Sequence, residues 1–211
     1  MSKVTIISIY INHKHIEQMV VSLPKGDYEL RVVDNTRQPH LSFAEANNLA
    51  AQDVETPHIL FLNDDIKATN DFLSPMLKTI ARPTVGIVGA KLLYPNGEIQ
   101  HDGIEPIKDV TDFLQLGFRY FKKDSDKERK CLVTGACLLI KTDLFKELNG
   151  FDENFINGFE DIDLCIRAYN HGWDSIYTPE ACLIHKEAAS RGKPDKYYKQ
   201  NINYLRSTLN V

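Results

Sequence analysis

The chain has 211 residues, 43% of them hydrophobic and 26% charged, a balance that excludes disorder and leaves enough apolar side chain for one large core. Lys plus Arg number 25 against 29 Asp plus Glu, so the net charge of −4 excludes an overall electrostatic pull toward nucleic acid or anionic membrane. No apolar run reaches the roughly 18–20 residues that span a bilayer, and Met1-Ser2-Lys3 leads straight into a β-like run without the apolar core and cleavage site of a secretory signal.

Val4–Ile11 (VTIISIYI) is apolar and β-branched and predicts a buried strand. Asn12-His13-Lys14-His15 follows as a first loop, whose two histidines are either solvated or in touch with a ligand. Tyr28–Asp34 predicts a second strand and His58–Leu62 a third. Between them Leu41–Val54 predicts a helix, with Ser42 as N-cap and Glu45 completing a capping box. Asp71–Ala81 is helical in pattern, which Pro75 tolerates only near the helix start. This strand–helix alternation predicts an α/β fold with parallel strands.

The second half changes character. Val85–Tyr94, Glu98–Ile104, Thr111–Phe121 and Lys130–Lys141 predict strands of a mixed sheet grafted onto the first half. The run KKDSDKERK, from Lys122 to Lys130, reads as a solvated loop or a docking patch. Thr142–Asn149 predicts a short helix ended by Gly150, and Glu160–His171 another ended by Gly172. On the latter, Asp163 and Arg167 have the spacing of a surface pair, while Ile162, Cys165, Ile166 and Tyr169 form the apolar side. Asp195–Leu209 is amphipathic through Tyr198, Ile202, Leu205 and Leu209. Cys131, Cys137, Cys165 and Cys182 form no CxxC and read as reduced thiols.

There is no GxGxxG, no GxxxxGK[ST], no GxSxG and no HExxH, so dinucleotide, P-loop, serine-hydrolase and zincin sites are not indicated. Asn63-Asp64-Asp65 follows the third strand directly, at the sheet edge where open α/β sheets bind ligands. Carboxylates there can hold Mg²⁺ or Mn²⁺ together with diphosphate oxygens, although such a triplet alone is also an ordinary turn. Asp34-Asn35 ends the second strand and delivers another Asp to the same edge. Glu160 and Asp161 stand at a helix N-terminus, where the dipole favours their ionised forms. His185 closes the run Ala181-Cys182-Leu183-Ile184. Lys91, His101 and Arg191 are weaker candidates: a surface lysine or phosphate partner, a structural histidine, and part of a possible lid.

The ordered set VTIISIYIN, VVDN, FAEANN, ILFLNDD, GIVGAKLLYPNGEIQHDG, VTGACLLI and GFDENFINGFEDIDLCIRAYNHGWDSIYTPEACLIH resembles the family 2 glycosyltransferases of GT-A fold, in the branch with bacterial rhamnosyltransferases. The resemblance covers nearly the whole chain and implies a single domain over 1–211. Residues 1–100 would form a Rossmann-like nucleotide-sugar half, and 101–211 a mixed-sheet acceptor and catalytic half. It implies that Ile11 and Asn12 flank the base, Asp34 contacts it and Asn47 meets the donor nucleotide. Asp65, with Asp64 second, matches the family's DxD metal motif, whose first carboxylate is here Asn63. His185 matches a residue of the metal or diphosphate, Gly135 and Ala136 admit the donor sugar, and Asp161 of the Glu160-Asp161 pair matches the catalytic base. The implied reaction is inverting transfer of L-rhamnose or glucose from a UDP-linked donor to a glycan hydroxyl, assisted by Mn²⁺ or Mg²⁺, without nucleic acid or a membrane span.

The short stretch between Asn35 and Leu41 is similar to that in the leading domain of a multidomain glycosyltransferase of a large chlorella virus. That implies further domains beyond Val211 and a cytoplasmic, host-cell location. Two other classes stay open at this point. A nucleotidyltransferase would need a Gly-rich loop after the first strand, which Asn12-His13-Lys14-His15 is not. A silent sugar-nucleotide-binding module has no need of the intact acidic pairs.

Overall fold

The computed structural model describes residues 3–106, 118–120, 126–186 and 197–208. In chain order these form β1 (Val4–Tyr10), α1 (His13–Ser22), β2 (Tyr28–Asp34), α2 (Phe43–Ala51), β3 (His58–Leu62), β4 (Ile66–Ala68), α3 (Leu73–Ile80) and β5 (Val85–Leu93). Then follow β6 (Ile99–His101), β7 (Ile104–Pro106), β8 (Phe118–Tyr120), β9 (Arg129–Lys130), β10 (Cys137–Lys141), α4 (Thr142–Glu147), α5 (Glu160–Asn170), β11 (Asp174–His185) and α6 (Tyr198–Thr208).

One mixed sheet has the order β2-β1-β3-β10-β5-β11-β4, with β6 paired to β5 and β9 to β11. β1 runs parallel to β2 and β3, and β11 parallel to β5. β10 is antiparallel to both β3 and β5 and joins the two parallel sets. The strands of the second half thus enter the same sheet as those of the first, and β7 with β8 forms a separate antiparallel pair.

Both faces of the sheet are covered, which is why its central strands are apolar at nearly every position. One face sends Val4, Ile6, Leu60 and Leu62 against Ile16 and Met19 of α1 and Leu73, Met76 and Ile80 of α3. The other sends Ile7, Ile59 and Phe61 against Ala44 of α2, Phe145 of α4 and Leu164, Cys165 and Ala168 of α5. Neighbouring strand residues serve opposite faces, as the pleat requires. A third cluster joins Ile104, Phe155, Phe159 and Ile162 to Ile202 and Leu205 of α6.

Several expectations hold at the residue level. Ser42 and Glu45 form the reciprocal capping box of α2, although that helix runs only over Phe43–Ala51. Pro75 is the third residue of α3, where the backbone N–H it lacks would have had no helical partner. The four cysteines are free. Burial raises the Cys131 thiol to about 11 and the Cys165 thiol to about 12.

Other expectations are corrected. The segment after Asn12 is helix α1, not a loop: Asn12 caps it by accepting the Lys14 N–H, and Ile16 and Met19 give it a buried stripe among polar neighbours. The strand expected over Glu98–Ile104 is broken into β6 and β7 on either side of Asp102-Gly103, and Gly103 has φ 102°. The strand expected over Lys130–Lys141 divides into β9 and β10 around Cys131–Ala136. Of Thr111–Phe121, only β8 falls among the described residues. In the charged run, Asp126 pairs with Lys91, Glu128 with Arg82 and Lys130 with Asp174, so these residues are tied to the fold. Asp163 does pair with Arg167, but inside the protein, with only 6% of its side chain exposed. Tyr169 lies outside the apolar side of α5 and is exposed, with the Lys130 ammonium over its ring. Tyr198 is likewise half exposed on α6, and Leu209 lies outside the described residues.

Candidate active site

Five elements deliver chemistry to one edge of the sheet. β1, β2 and β3 run parallel and end there with Tyr10, Asp34 and Leu62. Antiparallel β10 begins there, with Cys137 opposite Leu62. β11 ends there in His185, which pairs with Ile66 of β4. Asn63-Asp64-Asp65, the turn between β3 and β4, is therefore flanked by Ala136 and His185. The Asn63 N–H donates to the Ala136 carbonyl at 3.0 Å, and the Lys186 N–H to the Asp65 carbonyl at 3.2 Å.

The histidine–carboxylate pair is the densest part. His185 Nε2 lies 3.0 Å from Asp65 Oδ1, and its Nδ1 lies 2.6 Å from Gln100 Oε1. An amide oxygen only accepts, so Nδ1 carries a proton. With Nδ1 committed to Gln100, Nε2 is the ring atom turned toward Asp65 and the one able to ligate a cation. Burial pushes the Asp65 carboxyl up, but the hydrogen bond and charge of His185 outweigh it and leave Asp65 below the usual range. Burial and the charge of Asp65 hold Asp64 above the usual range, against the opposing backbone N–H groups of Ile11 and Asn12. The charge of His15 on α1 makes a smaller contribution that lowers both carboxyls.

These features fit a divalent cation. Asp64 Oδ2 is buried without a hydrogen-bond partner, and the buried Asp65 Oδ1 meets His185 Nε2 at 3.0 Å, an arrangement that is costly unless a positive group takes the two carboxylates up. Among the described residues no three His, Cys, Asp or Glu side chains converge into a complete metal cage. Two carboxylates completed by phosphate or water oxygens match the habits of Mg²⁺ and related hard cations. Asn63, in place of a first carboxylate, directs Nδ2 toward His185 Nε2 at 3.5 Å.

Asp161 opens α5 across the site. Its Oδ2 accepts the Gly135 N–H at 2.8 Å, and its Oδ1 accepts the Ile162 N–H at 2.8 Å. Each oxygen keeps a further lone pair for an incoming hydroxyl proton. Gly135 has a packing reason to be glycine, because a Cβ there would lie 3.1 Å from the Phe43 ring and 3.4 Å from Asp161 Cβ. Glu160 is buried and its Oε2 accepts the Gly158 N–H at 2.6 Å, so it serves the turn before α5. That turn holds two non-glycine residues in the left-handed region, Asn157 at φ 49° and Phe159 at φ 76°. Such backbone persists only where its surroundings over-determine it.

The remaining expected residues divide. Asp34 is exposed at the edge, and hydrogen bonding from Thr36 holds its carboxyl below the usual range. Ile11 is half exposed beside it, and Asn12 is occupied as the cap of α1. Asn47 is buried, with its amide donating to the Phe43 carbonyl at 2.9 Å, and so acts within α2. Ala136 lines the turn through its carbonyl. His13 packs on the Tyr10 ring, His101 is buried, and Arg191 lies outside the described residues. The sequence reading missed Gln100 and three asparagines that tie the segment before α5 to the fold: Asn48, Asn157 and Asn201. A polar residue on an otherwise apolar helical stripe, as Asn201 is beside Ile202 and Leu205, was the available signal.

Residues 2–203 match the family described as Glycosyltransferase like family 2. The chain is 33% identical over 194 residues to the protein y4gI of Sinorhizobium fredii, covering 86% of this chain and 21% of that protein. It is 39% identical over 150 residues to an N-acetylglucosaminyl-diphospho-decaprenol L-rhamnosyltransferase of Mycobacterium tuberculosis, covering 64% of this chain and 48% of the enzyme. The chain thus spans at most about half the length of these relatives. Its fold is similar to that of GalNAc-T7, solved with UDP, GalNAc and Mn²⁺, at a TM-score of 0.75 and 11% identity, covering 98% of this chain and 48% of that one. With a family match over nearly its whole length and the mixed sheet of the GT-A enzymes, the chain belongs to glycosyltransferase family 2.

Proposed function

We propose that this domain transfers a hexose or deoxyhexose from a nucleotide diphosphate sugar to a glycan hydroxyl with inversion at the anomeric carbon, and that UDP-L-rhamnose or UDP-glucose is the donor. The observation that carries the proposal is the meeting of Asp34, Asp65, His185 and Asp161 at one sheet edge, from four elements far apart in sequence. The rhamnosyltransferase relative supports the sugar, and the UDP and Mn²⁺ bound by GalNAc-T7 support the base and the cation.

In this reading Asp34, at the end of β2, accepts a hydrogen bond from the base, beside Ile11 and Asn12. Asp65 and His185, with Asp64 behind them, hold Mn²⁺ or Mg²⁺. That cation, when bound, neutralises charge on the departing diphosphate as a Lewis acid. Gln100 orients His185 through Nδ1. Asp161 takes the proton of the acceptor hydroxyl on its free lone pair while the backbone N–H groups of Gly135 and Ile162 hold the carboxylate in place. General-base assistance of this kind contributes roughly 10²–10⁴-fold. Residues 1–100 serve the nucleotide, and 101–211 the acceptor and the base. A place within a longer, multidomain enzyme acting in the cytoplasm, that of the host if the source is viral, belongs to the same proposal.

Release of free nucleoside diphosphate from a panel of UDP-, dTDP- and GDP-sugars, with Mn²⁺ and with EDTA, tests the reading. Metal-dependent release from a UDP-sugar is expected. Binding without release from any donor would make the domain a silent binding module, and full turnover in EDTA would remove the metal.

A further inference from the structure

The turn carrying the acidic pair is held only in part by its own sequence, through the Gly158 N–H on Glu160 Oε2. Asn157 and Phe159 both sit in the left-handed region, where a side chain costs energy, and Phe159 as N-cap of α5 offers no side-chain hydrogen bond. Something else must hold this backbone. One side chain from α6 holds it through three hydrogen bonds: Asn201, with no exposed surface, lies more than 40 residues along the chain from the turn. Its Nδ2 donates to the Ile156 carbonyl at 3.0 Å and to the Gly158 carbonyl at 2.9 Å, while its Oδ1 accepts the Ile156 N–H at 3.2 Å. A carboxamide is suited to this set, since it offers two donors and an acceptor in one plane.

The rest of α6 is fastened to the same segment. Tyr204 donates its hydroxyl proton to Asp152 Oδ2 at 2.9 Å and packs its ring on Phe155, and Tyr198 packs on Phe159. Ile202 and Leu205 bury against Phe155, Phe159 and Ile162. From the other side, Asn157 Oδ1 accepts the Phe43 N–H at the start of α2. The turn is thus gripped between α2 and α6, and it leads directly into Glu160 and Asp161.

We propose that Asn201 is a positioning residue for transfer, holding the strained 156–159 turn so that Asp161 keeps its carboxylate on the Gly135 N–H and open to the acceptor. The inference deepens the assignment of Asp161 as base and rests on it. Asn201 has no exposed surface with which to meet donor or acceptor. Its loss therefore acts on turnover through the placement of Asp161 and leaves the nucleotide end of the site, built on β1, β2 and β3, unchanged.

The test pairs Asn201→Asp, which keeps the volume but removes both donors, with Leu205→Ala, which loosens the apolar face of α6 and leaves the three hydrogen bonds intact. Turnover per folded molecule, UDP affinity and amide hydrogen exchange are measured on each. Asn201→Asp is expected to lower turnover at saturating substrates about tenfold or more, since small misplacements of a reacting group carry losses of that order. Its UDP affinity should be unchanged, and exchange should quicken at 157–161 but not in β1–β3. Leu205→Ala should lose stability while keeping turnover per folded molecule. Wild-type turnover in Asn201→Asp, unchanged exchange at 157–161, or an equal loss of turnover in Leu205→Ala would each overturn the inference. If Asn201→Asp does not fold, Asn201→Ser is judged by the same outcomes. Asp161→Asn is measured alongside: if that variant keeps full turnover, the base is misassigned, and exchange at 157–161 still decides whether Asn201 holds the turn.

Discussion

Asp161 is held at both oxygens by backbone N–H groups, from Gly135 and from Ile162. This changes what Asp161→Asn should do. An Asn keeps one accepting oxygen and turns its NH₂ toward the other N–H, so a stability loss of about 1 kcal/mol accompanies the substitution. The catalytic effect is far larger: transfer should slow at least about 100-fold with nucleotide affinity retained, the low end for a lost general base. Single-turnover transfer and UDP calorimetry on the same preparation read the two effects separately, and wild-type transfer would reassign the base. Asp34 tests the other end of the site. It is exposed, and its carboxylate accepts the neighbouring Thr36 N–H at 2.9 Å, a local contact that no packing depends on, so Asp34→Ala should fold normally. It should weaken UDP binding about tenfold, as loss of a hydrogen bond to a charged group does. Equal affinities by calorimetry would take Asp34 out of the site.

At the scale of elements, α5 is anchored by a pair that the helical spacing placed on the surface. Burial pushes the Asp163 carboxyl up, and the neighbouring Arg167 guanidinium opposes it. Arg167 Nε donates to Asp163 Oδ2 at 2.7 Å, and its terminal nitrogens donate to the Leu148 and Gly150 carbonyls at 2.7 and 2.9 Å. The arginine therefore ties α5 to the end of α4, where Gly150 at φ 74° turns the chain and leaves room that a Cβ would take from Asn48 Oδ1. Arg167→Met keeps the stem but strands the buried carboxyl and two carbonyls. Urea unfolding should show a loss of about 3 kcal/mol, the low end for breaking a buried pair from one side. A loss below 1 kcal/mol would mean that the pair behaves as a solvated one.

For the whole molecule, stability should depend on pH through a buried histidine and on ligand through the acidic turn. Burial, with the charge of His185, lowers His101 to about 3, whereas in the unfolded chain it titrates near 6.5. The unfolded state therefore binds the extra proton between these values. The stabilising preference for neutral His101 is full above about 6.5 and is lost as pH falls, at up to about 1.4 kcal/mol per pH unit. Urea midpoints at pH 7.5, 6 and 5 should fall accordingly, and His101→Gln should flatten that slope; an unchanged slope in the variant would clear His101 of the effect. UDP with Mn²⁺ at about 100 times the dissociation constant should stabilise the wild type by about 2.7 kcal/mol. Asp65→Ala should gain no more from UDP with Mn²⁺ than from UDP with EDTA. An equal gain from added Mn²⁺ in variant and wild type would free Asp65 of the metal.

Local chemistry determined a good part of this protein without any tertiary information. The β-branched runs Val4–Tyr10, Tyr28–Asp34 and His58–Leu62, the Ser42–Glu45 capping box and the ends of α5 at Glu160 and Gly172 all follow from neighbours a few residues apart. So does the delivery of Asp34 and Asp64-Asp65 to one edge, because parallel strands that end in polar residues must present them together. What lies beyond that reach was decided by packing. The placement of β10 between β3 and β5, the burial of Asp163 and the hydrogen bond between Gln100 and His185 each join residues far apart in sequence, and no period of 2 or 3.6 encodes them. Helix α1 was hidden because its polar start, Asn12-His13-Lys14-His15, reads as loop until Ile16 and Met19 find the sheet. The strained turn before Asp161 is the clearest case. Little that is local favours a left-handed Phe159 beyond the Glu160 carboxylate on the Gly158 N–H, and the buried Asn201 amide from α6, with Asn157 on the start of α2, joins residues far apart in sequence to hold the turn.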